Sequence, residues 1–183
     1  MESDSALIVV DVQNGFVSPN SAHIVPVIAD LVRQWADLGR PYVMTRFINE
    51  PGSPFETILD WHRLSGPPEA TIVPELQELV PGAVAVIDKP IYSMFTNEGT
   101  ALVREHGWRN IVVAGIATES CVLKTAVDAF ELGLIPWLVE DASYSHAGRE
   151  AHEAGCLVAR RFIGASQLVP ASEVVSRVAA LSG

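Results

Sequence analysis

The sequence predicts an α/β fold: a doubly wound, mainly parallel sheet with helices on both faces, a Rossmann-like three-layer sandwich. Three observations predict it. Short continuous apolar runs, such as residues 6–12 (ALIVVDV) and 111–116 (IVVAGI), have the length and β-branched content of buried parallel strands. Stretches with apolar residues at helical spacing alternate with these runs. Glycines and prolines stand where such helices would end or begin. Right-handed crossovers then bring every loop that follows a strand to one carboxyl edge, where open α/β sheets bind ligands.

Each element follows from local pattern. Residues 6–12 read as a central strand ending in Asp11. Residues 22–38 carry Ile24, Val27, Ile28, Leu31, Val32, Trp35 and Leu38 at helical spacing, with Pro26 tolerable only in the first turn and Gly39 closing the helix. Pro41 to Phe47 is the second strand. Residues 49–82 hold six of the prolines and read as a long excursion with short helical turns near 55–62 and 74–79; excursions of this length are usually lids or pocket walls. Residues 83–88 form the third strand, followed by Lys89 and by a helix from about Glu98 to His106 capped by Thr96 or Asn97. The fourth strand, 111–116, leads through Ala117-Thr118-Glu119-Ser120-Cys121 into a helix reaching Gly133. Residues 134–140 are the fifth strand, 147–161 a helix containing Cys156, 162–169 a short last strand region, and 171–181 a terminal helix.

Composition bounds the function. The chain has 183 residues, 49% of them hydrophobic and 19% charged, which leaves room for a core and is not the composition of a disordered segment. A net charge of −10 argues against nucleic-acid or anionic-membrane partners. The start, MESDSALIVVDV, has an acidic front and a short apolar run, unlike a secretory signal, and two cysteines make no disulfide framework. The expectation is a soluble cytoplasmic protein acting on a small molecule.

Three residues far apart in sequence carry chemistry. Cys121 is expected in the first turn of a helix, where free N–H groups and the dipole favour a thiolate and can hold an oxyanion. Its bland alternative is a small buried hydrophobe, as Cys156 is expected to be. Asp11 leaves the first strand and Lys89 the third; taken singly, a turn residue and a surface lysine would explain them. Together at one edge they form a workable covalent site. Asp11 accepts the thiol proton and returns it to the leaving group, Lys89 favours both ionised neighbours, and Cys121 attacks a carbonyl carbon. His62, His106, His146 and His152 fall in helices or loops, and none is expected at a strand end. Phe16, Phe55, Trp61, Tyr92, Phe95 and Thr118 are pocket candidates, and Arg46 is expected in a surface ion pair rather than on a substrate carboxylate.

Three ordered motifs resemble the isochorismatase-like cysteine hydrolase superfamily, which includes nicotinamidases and N-carbamoylsarcosine amidases. They are Asp11-Val12-Gln13-Asn14-Gly15-Phe16, Lys89 followed by Tyr92-Ser93-Met94-Phe95, and Gly115-Ile116-Ala117-Thr118-Glu119-Ser120-Cys121-Val122. The resemblance runs from about Ala6 to Val169. It implies one hydrolase domain over 1–183 and a triad of Asp11, Lys89 and Cys121. It also implies a cis peptide between Ile116 and Ala117, an oxyanion hole of the Ala117 and Cys121 N–H groups, and a homodimer or homotetramer. Nicotinamidases carry an Asp-x-His metal motif after their second strand; here that stretch reads Thr45-Arg46-Phe47-Ile48-Asn49-Glu50, so no metal or other cofactor is expected. Cys121 points to C–N hydrolysis of an amide or carbamoyl compound. The alternatives are a vinyl-ether hydrolase using Asp11 and Lys89 alone, and a thiol-sensing or binding module without turnover.

Overall fold

Residues 4–181 are described in a computed structural model of the chain. The first strand, β1 (Ser5–Val10), is followed by a 3-10 turn at Ala22–Ile24, helix α1 (Val25–Asp37) and strand β2 (Tyr42–Phe47). The excursion then carries a short helix, α2 (Pro54–Thr57), and a 3-10 stretch at Pro74–Gly82 before β3 (Ala85–Lys89). Next come α3 (Asn97–Glu105), β4 (Asn110–Ile116), a π-helical turn at Thr118–Val122 and α4 (Leu123–Glu131). β5 (Ile135–Tyr144), α5 (Arg149–Phe162), β6 (Leu168–Val169) and α6 (Ala171–Leu181) complete the order.

The strands form one parallel sheet in the order β3-β2-β1-β4-β5-β6. Chain direction across the sheet reverses between β1 and β4, and that is where the crevice opens. Successive residues of β1 feed opposite cores, as burial on both faces requires. Leu7 and Val9 pack with Ile28, Val32 and Trp35 of α1 and Val174 of α6. Ala6, Ile8 and Val10 pack with Val103 of α3, Ala126 and Ala129 of α4, and Ala159 of α5. The apolar runs are continuous because each strand is covered twice.

Local chemistry sets the ends of the elements. Pro26 lies in the first turn of α1, where its missing N–H costs nothing. Thr96 caps α3, its Oγ1 accepting from the Gly99 amide at 3.1 Å. Ser53 caps α2 in the same way, followed by Pro54 at the first helical position. α2 ends at Thr57 instead of running to 62, and Asp60 then turns through a positive φ of 51°.

Further boundaries differ from expectation: the third strand runs Ala85–Lys89 and so includes Lys89 instead of ending before it. β5 does not end at 140 but continues to Tyr144, because a register shift between Val113 and Gly115 lets β5 rejoin β4 through Gly115 with Ser143 and Ile116 with Tyr144. Gly115 makes that close approach possible: it sits at φ +130°, and a Cβ there would lie 2.1 Å from the Val10 carbonyl oxygen. The last strand is only Leu168–Val169, since Phe162 closes α5. No helix among the described residues is long and apolar enough to cross a membrane.

Candidate active site

Asp11 stands one residue beyond β1 with φ +51°, a left-handed conformation uncommon outside glycine. It is completely buried, and both carboxylate oxygens are engaged. Thr45 of β2 donates its hydroxyl to Oδ1 at 2.6 Å, and the Lys89 ammonium donates to Oδ2 at 2.6 Å. Lys89 comes from two strands away. Its register partner on β2 is Phe47, and the long stem carries Nζ past that ring, 5.6 Å from the centroid, to reach Asp11. Nζ also donates to the carbonyls of Ile91 (3.0 Å) and Tyr92 (2.9 Å), so the fully buried ammonium uses all three donors. A buried ion pair is tolerable only when its remaining hydrogen-bonding capacity is met in this way.

Cys121 enters from the other side of the crevice. The peptide bond between Ile116 and Ala117 is cis, and the following turn is π-helical, with the Val122 amide donating to the Ala117 carbonyl at 3.2 Å. Cys121 is 3% exposed and lies in this π turn ahead of α4, not in the first turn of the α-helix. Its thiol is accordingly not favoured as thiolate. Burial, and after it the negative charge of Asp11, push the thiol well above its ordinary range, and a hydrogen bond with Asp11 adds to this. Lys89 and a hydrogen bond with Ser120 pull the other way and do not prevail. Burial and Asp11 thus favour the thiol form of the sulfur, next to the side chain that Lys89 and Thr45 bind.

The structure therefore brings Asp11, Lys89 and Cys121 together at the switch point. In front of them opens a cavity of about 240 Å³ lined by Phe16, Phe47, Phe55, Leu59, Trp61, Tyr92, Glu119, Ser120, Cys121 and His146. Its wall is mostly aromatic. Phe16 stacks on Trp61 (centroids 6.0 Å, planes 11° apart) and on His146 (5.6 Å), while Phe55 meets Phe47 edge-on at 4.8 Å and Tyr92 at 5.0 Å. The excursion supplies Phe55, Leu59 and Trp61. It is tied to the β1 exit by Gln13, a buried amide that donates to the carbonyls of Phe47 (3.0 Å) and Ala70 (2.8 Å) and accepts from the Phe47 amide at 2.8 Å. Gln13 thus fixes the base of the aromatic wall.

Of the pocket candidates, Phe16, Phe55, Trp61 and Tyr92 line this cavity, whereas Phe95 and Thr118 do not. Phe95 immediately precedes the α3 cap and packs toward Thr100, Val103 and Trp108, around a separate cavity of about 330 Å³. Thr118 is fully buried and turned toward α5, its Oγ1 2.8 Å from His152 Nδ1. The π turn directs it away from the cavity while presenting Cys121 to it. His146 is the reverse case. The sequence places it in a helix or loop away from any strand end, yet it lines the cavity, because the extension of β5 to Tyr144 puts residue 146 at the carboxyl edge. Arg46 pairs with Asp88 through two bonds of 2.7 and 2.8 Å, outside the cavity. Cys156 is buried in α5, and burial pushes its thiol up to about 11.

The stretch after β2 does not fit a metal. Asn49 donates to the Trp61 carbonyl at 2.9 Å and accepts from the Ser53 hydroxyl at 2.6 Å. His62 is exposed beside Asp60 and Glu56, and its hydrogen bond to Asp60 holds the imidazole above its usual pKa. Among the described residues no group of three or more His, Cys, Asp or Glu side chains is arranged to hold a metal ion.

A doubly wound parallel sheet with a buried polar cluster and a cavity at its switch point is the architecture of a small-molecule site. The chain belongs to the isochorismatase family, whose isochorismatase domain matches residues 5–167. It is 29% identical over 200 residues to the ureidoacrylate amidohydrolase RutB of Variovorax paradoxus, an alignment covering 88% of this chain and 77% of that one. It is 33% identical over 156 residues to the nicotinamidase/pyrazinamidase of Mycobacterium tuberculosis, covering 74% and 84% respectively. The crystal structure of an isochorismatase family protein from Desulfovibrio vulgaris superposes with a TM-score of 0.80 at 27% identity, covering 97% of this chain and all of that one.

Proposed function

We propose that the chain is a metal-independent cysteine amidohydrolase that cleaves the C–N bond of a small amide or carbamoyl compound through a thioester, releasing ammonia. The observation that carries this reading is Cys121 lining the cavity beside Asp11, whose carboxylate Lys89 and Thr45 hold rigidly, with burial and Asp11 pushing the thiol up. The names of both relatives denote amide hydrolysis, which agrees with it.

In the proposed reaction the Cys121 proton passes to Asp11 as sulfur forms its bond to the substrate carbonyl carbon. The carbonyl electron pair moves onto oxygen, where the Ala117 and Cys121 N–H groups receive it. Asp11 then gives the proton to the nitrogen, the C–N bond breaks and ammonia leaves. Water attacks the thioester, losing a proton to Asp11, and collapse returns that proton to sulfur and frees the acid. Lys89 keeps its ammonium throughout and positions the carboxylate. The domain spans 1–183, with the excursion shaping the pocket over the reacting carbonyl.

The test is ammonia release from a panel of small amides, ureido acids and nicotinamide, with EDTA present, comparing wild type with Cys121→Ala and Cys121→Ser. The reading expects release that survives EDTA and is lost in both variants. Turnover that persists in Cys121→Ala would favour chemistry by Asp11 and Lys89 alone. Release abolished by EDTA would overturn metal independence.

A further inference from the structure

The cavity wall is unbalanced in charge. Glu119 is the one charged side chain that lines it among the described residues, and no lysine or arginine does. Its Oε1 accepts from the Ser145 hydroxyl at 2.6 Å, which fixes the carboxylate in place. Its Oε2 is out of reach of water and has no hydrogen-bond partner, so no second donor offsets the charge held just behind the wall. The neighbouring cations are committed elsewhere: Lys124, which lines an adjoining cavity with Tyr92, Glu119 and Ser120, is paired with Asp128. Lys89 has spent its three donors on Asp11, Ile91 and Tyr92, and Arg46 is held bidentate by Asp88. A carboxylate entering the cavity would meet aromatic faces, a fixed like charge and no donor fork, inside a chain of net charge −10. An uncharged group, or one bearing an N–H donor, meets none of these penalties.

We propose that Glu119 is a specificity-determining residue that excludes anionic groups from the cavity, so that the amides this site takes carry no carboxylate on the acyl side. The word amide rests on the reading above; exclusion of negative charge does not, and it is measured without turnover. Cys121 lines the same cavity, so a reagent that alkylates it must enter. The full chain is treated with iodoacetamide, which is uncharged, and separately with iodoacetate, and modification of Cys121 is followed by peptide mass spectrometry, which separates it from Cys156. The ratio of the two rates is compared with the ratio for Cys121 in the urea-unfolded chain.

In the wild type the folded ratio should exceed the unfolded one by about tenfold, the order expected for a like charge a few ångströms away in a partly dry site. Glu119→Gln should bring it to within about threefold of the unfolded value, and Glu119→Asp, which keeps the charge, should preserve most of it. A wild-type ratio equal to the unfolded one would overturn the proposal. So would a high ratio that Glu119→Gln leaves unchanged while iodoacetamide still labels the variant at the wild-type rate.

Discussion

Replacing Asp11 by Asn separates thiol reactivity from turnover. The carboxylate is one of the causes that hold the Cys121 thiol up, by its charge and by its hydrogen bond, whereas Lys89 pulls the thiol down. Asp11→Asn removes both upward contributions, keeps side-chain volume and leaves Lys89 in place. A unit charge at about 4 Å with an effective dielectric near 20 is worth roughly 4 kcal/mol, and each 1.4 kcal/mol is tenfold in thiolate population. Burial, the largest cause, persists. The thiolate population should rise by about a thousandfold, and because a thiolate becomes less nucleophilic as its pKa falls, alkylation of Cys121 by iodoacetamide at pH 7.5 should rise by about tenfold to a hundredfold. Ammonia release should fall by about a thousandfold, since proton transfer by a positioned group contributes about 10² to 10⁴. Stability should fall as well, because the fully buried Lys89 ammonium loses its counter-charge at a cost of about 3–5 kcal/mol. With a urea m-value of about 2 kcal/mol/M, the midpoint should drop by roughly 2 M. The assay is parallel: peptide-resolved alkylation, ammonia release and urea denaturation on one preparation. Alkylation no faster than in the wild type, in a variant shown to be folded, would refute the electrostatic reasoning.

Two further perturbations test how α5 supports the site. A Cβ at Gly155 would lie 2.8 Å from both Cα and N of Glu119 and 3.0 Å from the carbonyl carbon of Thr118, so α5 can approach the π turn only because that atom is missing. Gly155→Ala should cost about 1–3 kcal/mol by thermal denaturation and reduce turnover, as the Cys121 turn must shift; a variant with wild-type melting and activity would show the turn to be compliant. His152 contacts Thr118 from α5, and burial holds its imidazole below the usual pKa, opposed by Glu140, Glu119 and Glu153 and assisted by His23. The unfolded chain binds this proton near pH 6.5 and the folded one only at lower pH. The stability contributed is thus present above pH 6.5 and is lost as pH falls from there through the folded value. Urea midpoints measured between pH 8 and 5 should fall more steeply for wild type than for His152→Gln, and parallel curves would remove His152 from that dependence.

The sheet was legible because burial on both faces makes each parallel strand an unbroken apolar run, and the order of runs and helices dictates which ends share an edge. Asp11, Lys89 and Cys121 could be placed at that edge on chain order alone. What the pattern did not carry depends on contacts between distant segments. His146 reaches the cavity only because a bulge opposite Gly115 prolongs β5, and register is a property of two strands rather than one. Thr118 turns toward His152 because the turn is π-helical, which alters side-chain direction without altering composition. The expected preference of Cys121 for thiolate fails for a similar reason. A position before a helix favours thiolate, but desolvation and a neighbouring carboxylate outweigh that preference once the fold closes over the sulfur.

That protonation state bears directly on the proposed reaction. Amide hydrolysis needs a nucleophile and, a moment later, a proton for a nitrogen that leaves poorly as its anion. A preformed thiolate that had lost its proton to bulk solvent would meet the first need and leave the second without a donor at the site. In the proposed reaction sulfur holds the proton until attack, and Asp11, whose charge acts directly on the thiol, carries it to the leaving nitrogen. Lys89 and Thr45 leave the carboxylate no freedom to turn away, so acceptance and return use the same group in the same place. On that proposal the three side chains act as a store and a relay for one proton rather than as an activated thiolate with two neighbours. The buried ion pair, weak evidence for stability in its own right, is what holds that relay in register.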